Sequence, residues 1–169
     1  MITFDADSAR FNYRIVAIIR QDDYVLLCQE EGQDFWFMPG GRAELLEPST
    51  ETVVREMREE LGVEARVERL VWIVENFFPW IDGIDAHELS LFYVLTLPHD
   101  SRVLDIGKPF RGIEDDVKLI FAWHRLDMLE QVPLYPKFLR TALQNMPDKI
   151  QHIMNVDGEE DSSAVRITG

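Results

Sequence analysis

The chain has 169 residues, which is the size of one domain with one hydrophobic core. Hydrophobic residues make up 46% of the sequence and charged residues 28%, and this composition excludes a wholly disordered chain and a fibrous one. The 31 acidic residues outnumber the 17 basic ones, so the net charge at pH 7 is −14. We therefore expect no nucleic-acid partner and no anionic membrane partner.

Cysteine usage and the absence of long apolar segments predict a cytoplasmic protein. The sequence has one cysteine, Cys28, so an internal disulfide is excluded. The first residues show neither the basic nor the apolar region of a signal peptide. The longest apolar runs, Ile15–Ile19 and Leu70–Val74, have five residues each, far fewer than the ~20 that span a bilayer.

The residues up to Gly41 predict two paired strands, a short strand and a loop. Arg14–Arg20 is a β-branched run typical of a buried strand. Turn residues separate it from a second predicted strand at Tyr24–Gln29, so the two should form a hairpin. Phe35–Met38 is predicted as a short aromatic strand. Pro39–Gly41 then predicts a loop, because Pro-Gly-Gly continues neither a strand nor a helix well.

One longer helix is predicted from Pro48 to Leu61. Proline suits the first turn of a helix, and Gly62 stands where a C-terminal cap is expected. The apolar side chains of this segment recur at helical spacing and predict a buried face; they are Val53, Val54, Met57 and Leu61.

The second half of the chain predicts further strands and one more helix. The predicted elements are strands at Val67–Val74, Leu89–Leu97 and Val117–Trp123, a helical turn at Asp127–Gln131 and a helix at Pro136–Met146. Many strands with two helices predict an α/β sandwich. We expect one domain over residues 1–156, followed by a mobile acidic tail at 157–169.

Three carboxylates share one side of the predicted helix. At 100° per residue, Glu59 lies at about 300° and Glu60 at about 40° from Glu56. This arc borders the apolar side, where water screens charge less, and neighbouring like charges repel. A Mg²⁺ or Mn²⁺ ion held by oxygen ligands is the simplest compensation. For the helix taken alone, a solvated acidic face is the alternative.

The glycine loop before the helix and the spacing of the whole segment favour the metal site over a solvated acidic face. Gly41-Arg42-Ala43-Glu44-Leu45-Leu46-Glu47 is followed, after seven residues, by Arg55-Glu56-Met57-Arg58-Glu59-Glu60-Leu61-Gly62-Val63. The segment resembles the Nudix box, G-x5-E-x7-R-E-U-x-E-E-x-G-U, in which U is a bulky aliphatic residue, and all nine specified positions match. Two departures concern the path of the loop: Leu46 stands where the family usually has glycine, and Pro48 directly follows Glu47.

The resemblance implies a Nudix-like α/β/α sandwich, with a mixed sheet and a metal site on the box loop and helix. It also implies metal-dependent hydrolysis of a pyrophosphate bond in a nucleoside diphosphate linked to another group, with water as the nucleophile. The metal would be Mg²⁺, with Mn²⁺ as the alternative. The resemblance leaves open whether the substrate is a nucleotide sugar such as ADP-ribose, a nucleoside triphosphate or a dinucleoside polyphosphate. A Nudix-fold domain that senses a nucleotide without cleaving it is the alternative function, but such a domain would be expected to lose box carboxylates.

Roles carried over by position assign a metal site and a catalytic set. The implied metal ligands are Glu56, Glu60, Glu59 and the backbone carbonyl of Gly41. Arg55 would orient Glu47 by a charge-assisted hydrogen bond, and it can also pair with Glu59 at i+4. Glu59 is the first choice for the general base, and the acidic loop Glu114–Asp116 supplies the alternative.

The expected substrate contacts lie around the same loop and on aromatic side chains. Trp36 and Phe77 are candidates for stacking on a base, although packing in the core is the alternative for each. Arg42, next to the Gly40–Gly41 turn, is a candidate phosphate contact, and Gly40 is assigned to the substrate site with it. The strand-rich edge would also allow a homodimer.

Overall fold

The computed structural model describes residues 1–80, 83–114, 118–157 and 166–168. Within them the chain forms ten strands, two α-helices and short 3-10 helices. The strands are β1 (Thr3–Ala6), β2 (Ala9–Gln21), β3 (Tyr24–Glu30), β4 (Gly40–Arg42), β5 (Arg66–Pro79), β6 (Asp85–Thr96), β7 (Phe110–Arg111), β8 (Leu119–Arg125), β9 (Gln151–Val156) and β10 (Arg166–Thr168). The helices are α1 (Ser49–Leu61) and α2 (Leu139–Ala142), with 3-10 helices at Arg102–Leu104 and Leu126–Gln131.

The strands form one mixed sheet with the order β10-β9-β5-β6-β2-β3-β8-β7, and β1 and β4 also pair with β2. The β2–β6 and β5–β9 pairs are parallel, whereas the other pairs among the described strands are antiparallel. This mixed sheet with helices confirms the predicted α/β class.

The two faces of the sheet carry separate hydrophobic clusters. Alternation along β2 sends Ile15 and Ala17 into one cluster and Val16 into the other. Helix α1 covers the first face through buried residues such as Met57, and α2 covers the second through Leu139. The sheet is therefore packed between two helical elements, and α1 is held rigidly by its apolar side.

Helix α1 begins one residue after the predicted Pro48 and ends at the predicted Leu61. It begins after Pro48, whose φ of −60° suits a helix start, and ends at Gly62 in the left-handed conformation with φ of 68°. The Gly62 N–H donates to the Arg58 carbonyl at 3.0 Å. Glycine reaches this conformation without the steric cost of a Cβ, so the cap ends the helix cleanly.

The predicted loop at Pro39–Gly41 is wrong, because its two glycines begin a strand. In β4, Gly40 lies opposite Val16 and Gly41 opposite Ile15. Gly40 has φ of 126°, and a Cβ there would overlap the Ile15 carbonyl oxygen. Glycine is needed at this position because the two backbones approach closely. The neighbouring segment Phe35–Met38 makes only isolated bridges, at Trp36 and Phe37.

Several other elements differ from their predicted extent. The hairpin of β2 and β3 is paired only next to its turn, at Arg20 and Gln21, because β4 occupies the same edge of β2 farther along, at Arg14–Val16. The predicted helix Pro136–Met146 is longer than the observed one, because only Leu139–Ala142 forms the α-helix α2. Its flanking turns close with tighter i to i+3 hydrogen bonds, such as that from the Gln144 N–H to the Thr141 carbonyl.

The carboxyl-terminal residues extend the sheet. Strand β9 was not predicted; it pairs in parallel with β5, and β10 pairs with β9. Strand β10 lies within the segment predicted as a mobile tail; residues 158–165 and 169 lie outside the described part of the chain, so the predicted domain boundary stays a prediction. Among the described residues, no helix has the length and apolarity needed to cross a membrane.

Candidate functional site

Strand β4 and helix α1 lie in direct contact at the box. A Cβ placed on Gly41 would overlap the carboxylate of Glu56, so glycine is required for the helix carboxylate to approach the strand backbone. The side chain of Glu56 is 13% exposed. The Gly41 peptide and the Glu56 carboxylate therefore form the floor of the site.

Arg55 connects the box loop with two carboxylates of the helix. Its guanidinium binds Glu47 in a bidentate manner, from Nε to Oε1 at 2.7 Å and from Nη2 to Oε2 at 3.1 Å. Its Nη1 donates to Glu56 Oε1 at 2.7 Å and to Glu59 Oε2 at 2.8 Å, and its Nη2 donates to the Arg42 carbonyl at 3.2 Å. The structure thus contains the contact that was expected between Arg55 and Glu47.

Glu47 is held in its charged form. Besides Arg55, it accepts hydrogen bonds from Thr52 Oγ1 at 2.8 Å and from the Glu44 N–H at 2.9 Å. The hydrogen bond from Arg55 is the main cause that lowers the pKa of Glu47 to about 2. A carboxylate with three donors is a fixed part of the loop.

Leu46, one of the two departures from the box pattern, keeps the backbone conformation that glycine favours. Its φ is 65°, and its side chain is fully exposed at 102% relative accessibility. A Cβ in this left-handed region is strained. The loop thus reaches Glu47 along a path that suits glycine, although leucine occupies the position.

Glu60 is the most deeply buried carboxylate of the box. It is 4% exposed, and the hydrogen bond found for its carboxylate in the described structure comes from the Gly40 N–H at 3.3 Å. Burial raises the pKa of Glu60 to about 8, and nearby Arg14 opposes that rise. Burial also raises the pKa of Glu56, against the effect of Arg55.

These carboxylates suit a divalent cation. A buried carboxylate that lacks a direct ion pair needs a proton or a cation close by, and oxygen ligands are those that Mg²⁺ and Mn²⁺ prefer. In the described part of the chain, no three His, Cys, Asp or Glu side chains are already grouped around a metal position. Arg55 holds Glu56 and Glu59 instead, so these two carboxylates would have to exchange that contact for a metal.

Sequence reasoning missed Arg14 as a residue of this site. Arg14 lies directly opposite Arg42 on the β2–β4 pair, rests over the Phe37 ring at 5.7 Å and donates to the Met38 carbonyl at 3.3 Å. Burial and the charge of Arg14 lower the pKa of Arg42. Two cations placed side by side in a protein of charge −14 suit an anionic ligand. The register with Arg42 could not be read from the sequence.

Of the predicted substrate contacts, two lie beside the box carboxylates and two pack against other aromatic side chains. Gly40 and Arg42 lie beside the carboxylates. Trp36 packs against the second core cluster and meets His124 at 4.5 Å between ring centroids. Phe77 stacks on His87 at 4.5 Å, and His87 meets the Phe11 ring edge-on at 5.3 Å. Phe11 lies four residues before Ile15, the partner of Gly41 on β4, so these ring contacts place Phe77 away from the box along the sheet.

The acidic loop named as the alternative source of a base lies partly within the described residues. The Ile113 N–H donates to the Glu60 carbonyl at 2.8 Å, and the charge of Glu114 contributes to the raised pKa of Glu60. Glu114 therefore lies near the buried carboxylate. Asp115 and Asp116 lie outside the described residues.

Comparisons with known proteins agree with this architecture. The model of the NUDIX domain family matches residues 10–146. The Bacillus subtilis protein named uncharacterized Nudix hydrolase YvcI is 26% identical over 119 residues, 70% of this chain and 69% of that one. The CTP pyrophosphohydrolase of Escherichia coli K12 is 42% identical over 57 residues, 31% of this chain and 42% of that one.

A solved structure supports the same fold. The crystal structure of a mutator MutT protein from Bacillus halodurans matches with a TM-score of 0.63 and 20% sequence identity, and the match covers 92% of this chain and 97% of that one.

Proposed function

Because the chain belongs to the Nudix family, we propose that this Nudix pyrophosphohydrolase cleaves the pyrophosphate bond of a nucleoside diphosphate derivative with the help of Mg²⁺ or Mn²⁺. The observation that carries the proposal is the Glu60 carboxylate, buried beside Glu56 and touched only by the Gly40 N–H among the described hydrogen bonds. A buried acid of this kind is unfavourable without a cation, so its burial is explained if a cation is its partner.

The residues that would hold the cation are the carboxylates Glu56 and Glu60, with Glu59 beside them, and the carbonyl of Gly41. When bound, the cation supplies positive charge that neutralises the pyrophosphate and favours ionisation of a water molecule. The protein's own contribution is a rigid base for these ligands. Helix α1 is fixed by its buried apolar side, and Gly41 lets the Glu56 carboxylate come close to β4.

Glu59 is our candidate for the general base, with Arg55 and Glu47 as positioning residues. The side chain of Glu59 is 48% exposed, so it can reach a water molecule at the mouth of the site. Arg55 donates to Glu56 and Glu59 through Nη1. It donates to Glu47 through Nε and Nη2. Glu114 is the alternative base, because it lies near Glu60 from a separate loop.

The substrate's phosphates are expected to meet Arg42 and Arg14, the two cations that face each other across β2 and β4. Trp36 is retained as a candidate for stacking on a base, whereas Phe77 is left out because its ring stacks on His87 instead. The substrate class we favour is a nucleotide sugar such as ADP-ribose or a nucleoside triphosphate such as CTP. The CTP pyrophosphohydrolase relative supports including the triphosphate.

Hydrolysis of a nucleotide panel tests the proposal. Wild-type protein is incubated with ADP-ribose, CTP and a dinucleoside polyphosphate in Mg²⁺ or in EDTA, and products are identified by mass. We expect cleavage of at least one substrate at a pyrophosphate bond, and none in EDTA. Glu60→Gln should lower turnover by at least about a hundredfold, whereas Glu64→Gln, an exposed acid just after α1, should match the wild type.

Two results of the hydrolysis panel would contradict the proposal. Turnover that is unchanged in Glu60→Gln removes Glu60 from the metal site. A wild type that binds nucleotides and metal but cleaves nothing replaces hydrolysis by the alternative of a nucleotide-sensing domain.

A further inference from the structure

We infer that Asn12 is a positioning residue of the substrate site: its side-chain oxygen orients the Arg42 guanidinium so that the two terminal nitrogens stay free for the anionic oxygens of a diphosphate. This inference rests on the proposed function, since Arg42 and Arg14 are the cations expected to meet the substrate's phosphates. Asn12 acts through Arg42 and does not itself touch the substrate.

Asn12 lies beside the two cations on the same face of the sheet. It stands two residues before Arg14 on β2, so both side chains project from one face. Strands β1 and β4 follow one another along one edge of β2, whereas β6 pairs along the other edge. Asn12 lies opposite Thr3 on β1, and Arg14 lies opposite Arg42 on β4. This register brings Thr3 and Arg42 to the same asparagine.

Two donors fix the Asn12 amide. Arg42 Nε donates to Asn12 Oδ1 at 3.2 Å, and Thr3 Oγ1 donates to the same oxygen at 2.7 Å. A guanidinium nitrogen can only donate, so the amide has to present its oxygen to Arg42. Asn12 is 1% exposed. A buried oxygen held by two donors is a rigid support, and it fixes the direction in which the Arg42 guanidinium extends.

The terminal nitrogens of Arg42 are left without a protein partner in the part of the chain that the structure describes. There, Asn12 is the hydrogen-bond partner found for the Arg42 side chain. No described carboxylate forms an ion pair with Arg42 or with Arg14. Both arginines are only partly buried, so a ligand can reach them. Two neighbouring guanidiniums with unused donors suit the charge and geometry of phosphate oxygens.

Arg42 also lies near the proposed metal site. Burial and the charge of Arg14 lower the pKa of Arg42. The charges of Glu88 and Glu56 oppose this effect, so both carboxylates lie close to the guanidinium. The Arg42 carbonyl accepts from Arg55 Nη2 at 3.2 Å. The cation that would bind the phosphates and the carboxylates that would bind the metal thus belong to one region of the molecule.

The neutral charge of Asn12 separates a positioning role from a structural one. An aspartate at this position would keep the shape and accept the same two hydrogen bonds. It would also form an ion pair with Arg42, and this pair would compete with a phosphate for the guanidinium. A purely structural acceptor tolerates aspartate, whereas a residue that keeps Arg42 available for an anion does not.

The experiment measures binding of two probes to the full chain by calorimetry in Mg²⁺. The probes are the non-hydrolysable α,β-methylene analogues of ADP-ribose and CTP. The test variant is Asn12→Asp, and Asn76→Asp is the matched control. Asn76 is 5% exposed and lies in the same cross-strand row, with Glu88 between it and Asn12. Its replacement adds the same charge and keeps the acceptor that Asn155 Nδ2 uses. Melting curves verify folding.

The expected losses are specific to Asn12 and depend on Arg42. Asn12→Asp should weaken binding of at least one analogue by about tenfold or more, and Asn76→Asp should stay within about twofold of wild type. In an Arg42→Gln background, Asn12→Asp should change the affinity by less than about twofold, because the guanidinium that it would pair with is gone. With a substrate that is cleaved, Asn12→Asp should raise KM and leave kcat within about threefold of wild type.

Thr3 supplies a second test, which carries the inference if Asn12→Asp does not fold. Thr3→Val removes the hydroxyl that fixes the Asn12 oxygen, and it should weaken binding of the same analogue by about threefold or more. Thr3→Ser keeps the donor and should bind as wild type does. If Thr3 served packing alone, valine would be tolerated better than serine.

The inference is overturned if wild type binds neither analogue, or if Asn12→Asp and Thr3→Val both bind as wild type does. It is also overturned if Asn76→Asp loses as much affinity as Asn12→Asp, or if the loss in Asn12→Asp persists without Arg42. The hydrolysis panel tests the proposed function separately. Binding that depends on Asn12, in a protein that cleaves nothing, overturns only the hydrolysis. Turnover whose KM is indifferent to Asn12→Asp overturns only the role of Asn12.

Discussion

Arg55 and Glu47 form a bidentate ion pair that ties the box loop to helix α1, with both side chains largely shielded from solvent at 25% and 15% exposure. The same guanidinium binds Glu56 and Glu59. The pair therefore sets the position of two proposed metal-site carboxylates as well as that of the loop. The guanidinium makes these contacts because it is planar and presents several N–H donors in fixed directions. The ammonium group of lysine cannot make the same set of hydrogen bonds.

Replacing Arg55 by lysine tests that requirement. Lysine keeps the charge but loses the bidentate bond to Glu47 and at least one bond to the helix carboxylates. We expect Arg55→Lys to lower the free energy of unfolding by about 1–3 kcal/mol and to lower turnover more than substrate binding. Urea denaturation and steady-state kinetics measure the two effects.

The matched control for Arg55→Lys is Arg58→Lys. Arg58 also binds a glutamate, Glu64, in a bidentate manner, but these side chains are 55% and 67% exposed, and exposed pairs contribute little to stability. Its urea midpoint should not move. Equal losses in the two variants would show that Arg55 acts as an ordinary surface cation.

The stability of the metal-free protein should depend on pH through Glu60. Its pKa is raised to about 8 in the folded state from an ordinary value of 4.5, so between these values the folded state binds more protons than the unfolded state. Stability therefore falls as pH rises from about 4.5 through 8. Urea denaturation in EDTA from pH 5 to 8.5 should show this fall in wild type, and a flatter profile in Glu60→Gln. Parallel profiles would exclude Glu60 as the source.

A bound divalent metal should offset the loss of stability that ionised Glu60 causes at high pH. Protons and metal compete for Glu60, so millimolar Mg²⁺ or Mn²⁺ should raise the melting temperature more at pH 8 than at pH 6. In Glu60→Gln the increase should be much smaller, and in Glu64→Gln it should equal that of wild type. A wild type whose melting temperature does not respond to metal at either pH would contradict the metal site.

Leu46 offers a prediction about stability that does not involve the chemistry. Its φ of 65° strains a leucine, so Leu46→Gly should raise the free energy of unfolding by up to about 1 kcal/mol, the relief of strain exceeding the added entropy of the unfolded chain. Leu45 is also exposed, at 79%, but it is not among the residues with positive φ. Leu45→Gly should therefore destabilise the protein. If both variants destabilise, the left-handed turn at Leu46 is not strained.

The amino-acid sequence by itself determined the features that depend on neighbours in the chain. Helix α1 and its glycine cap followed from local spacing. The side of the helix that carries Glu56, Glu59 and Glu60 followed from the helical period. The Arg55–Glu47 contact followed from the resemblance to the Nudix box. The α/β class followed from many predicted strands together with two predicted helices.

Tertiary structure alone decided which distant strands meet and in what register. Residues 79 positions apart in the chain, such as Asn155 and Asn76, were paired by sheet contacts that leave no trace in local spacing. The same holds for Arg14 opposite Arg42 and for the Gly40–Gly41 strand that was predicted as a loop. The pairing of β5 with β6 likewise placed Phe77 against His87. The physical reason is that strand pairing depends on long-range burial and close backbone approach, whereas helix capping and periodicity depend on residues within one or two turns.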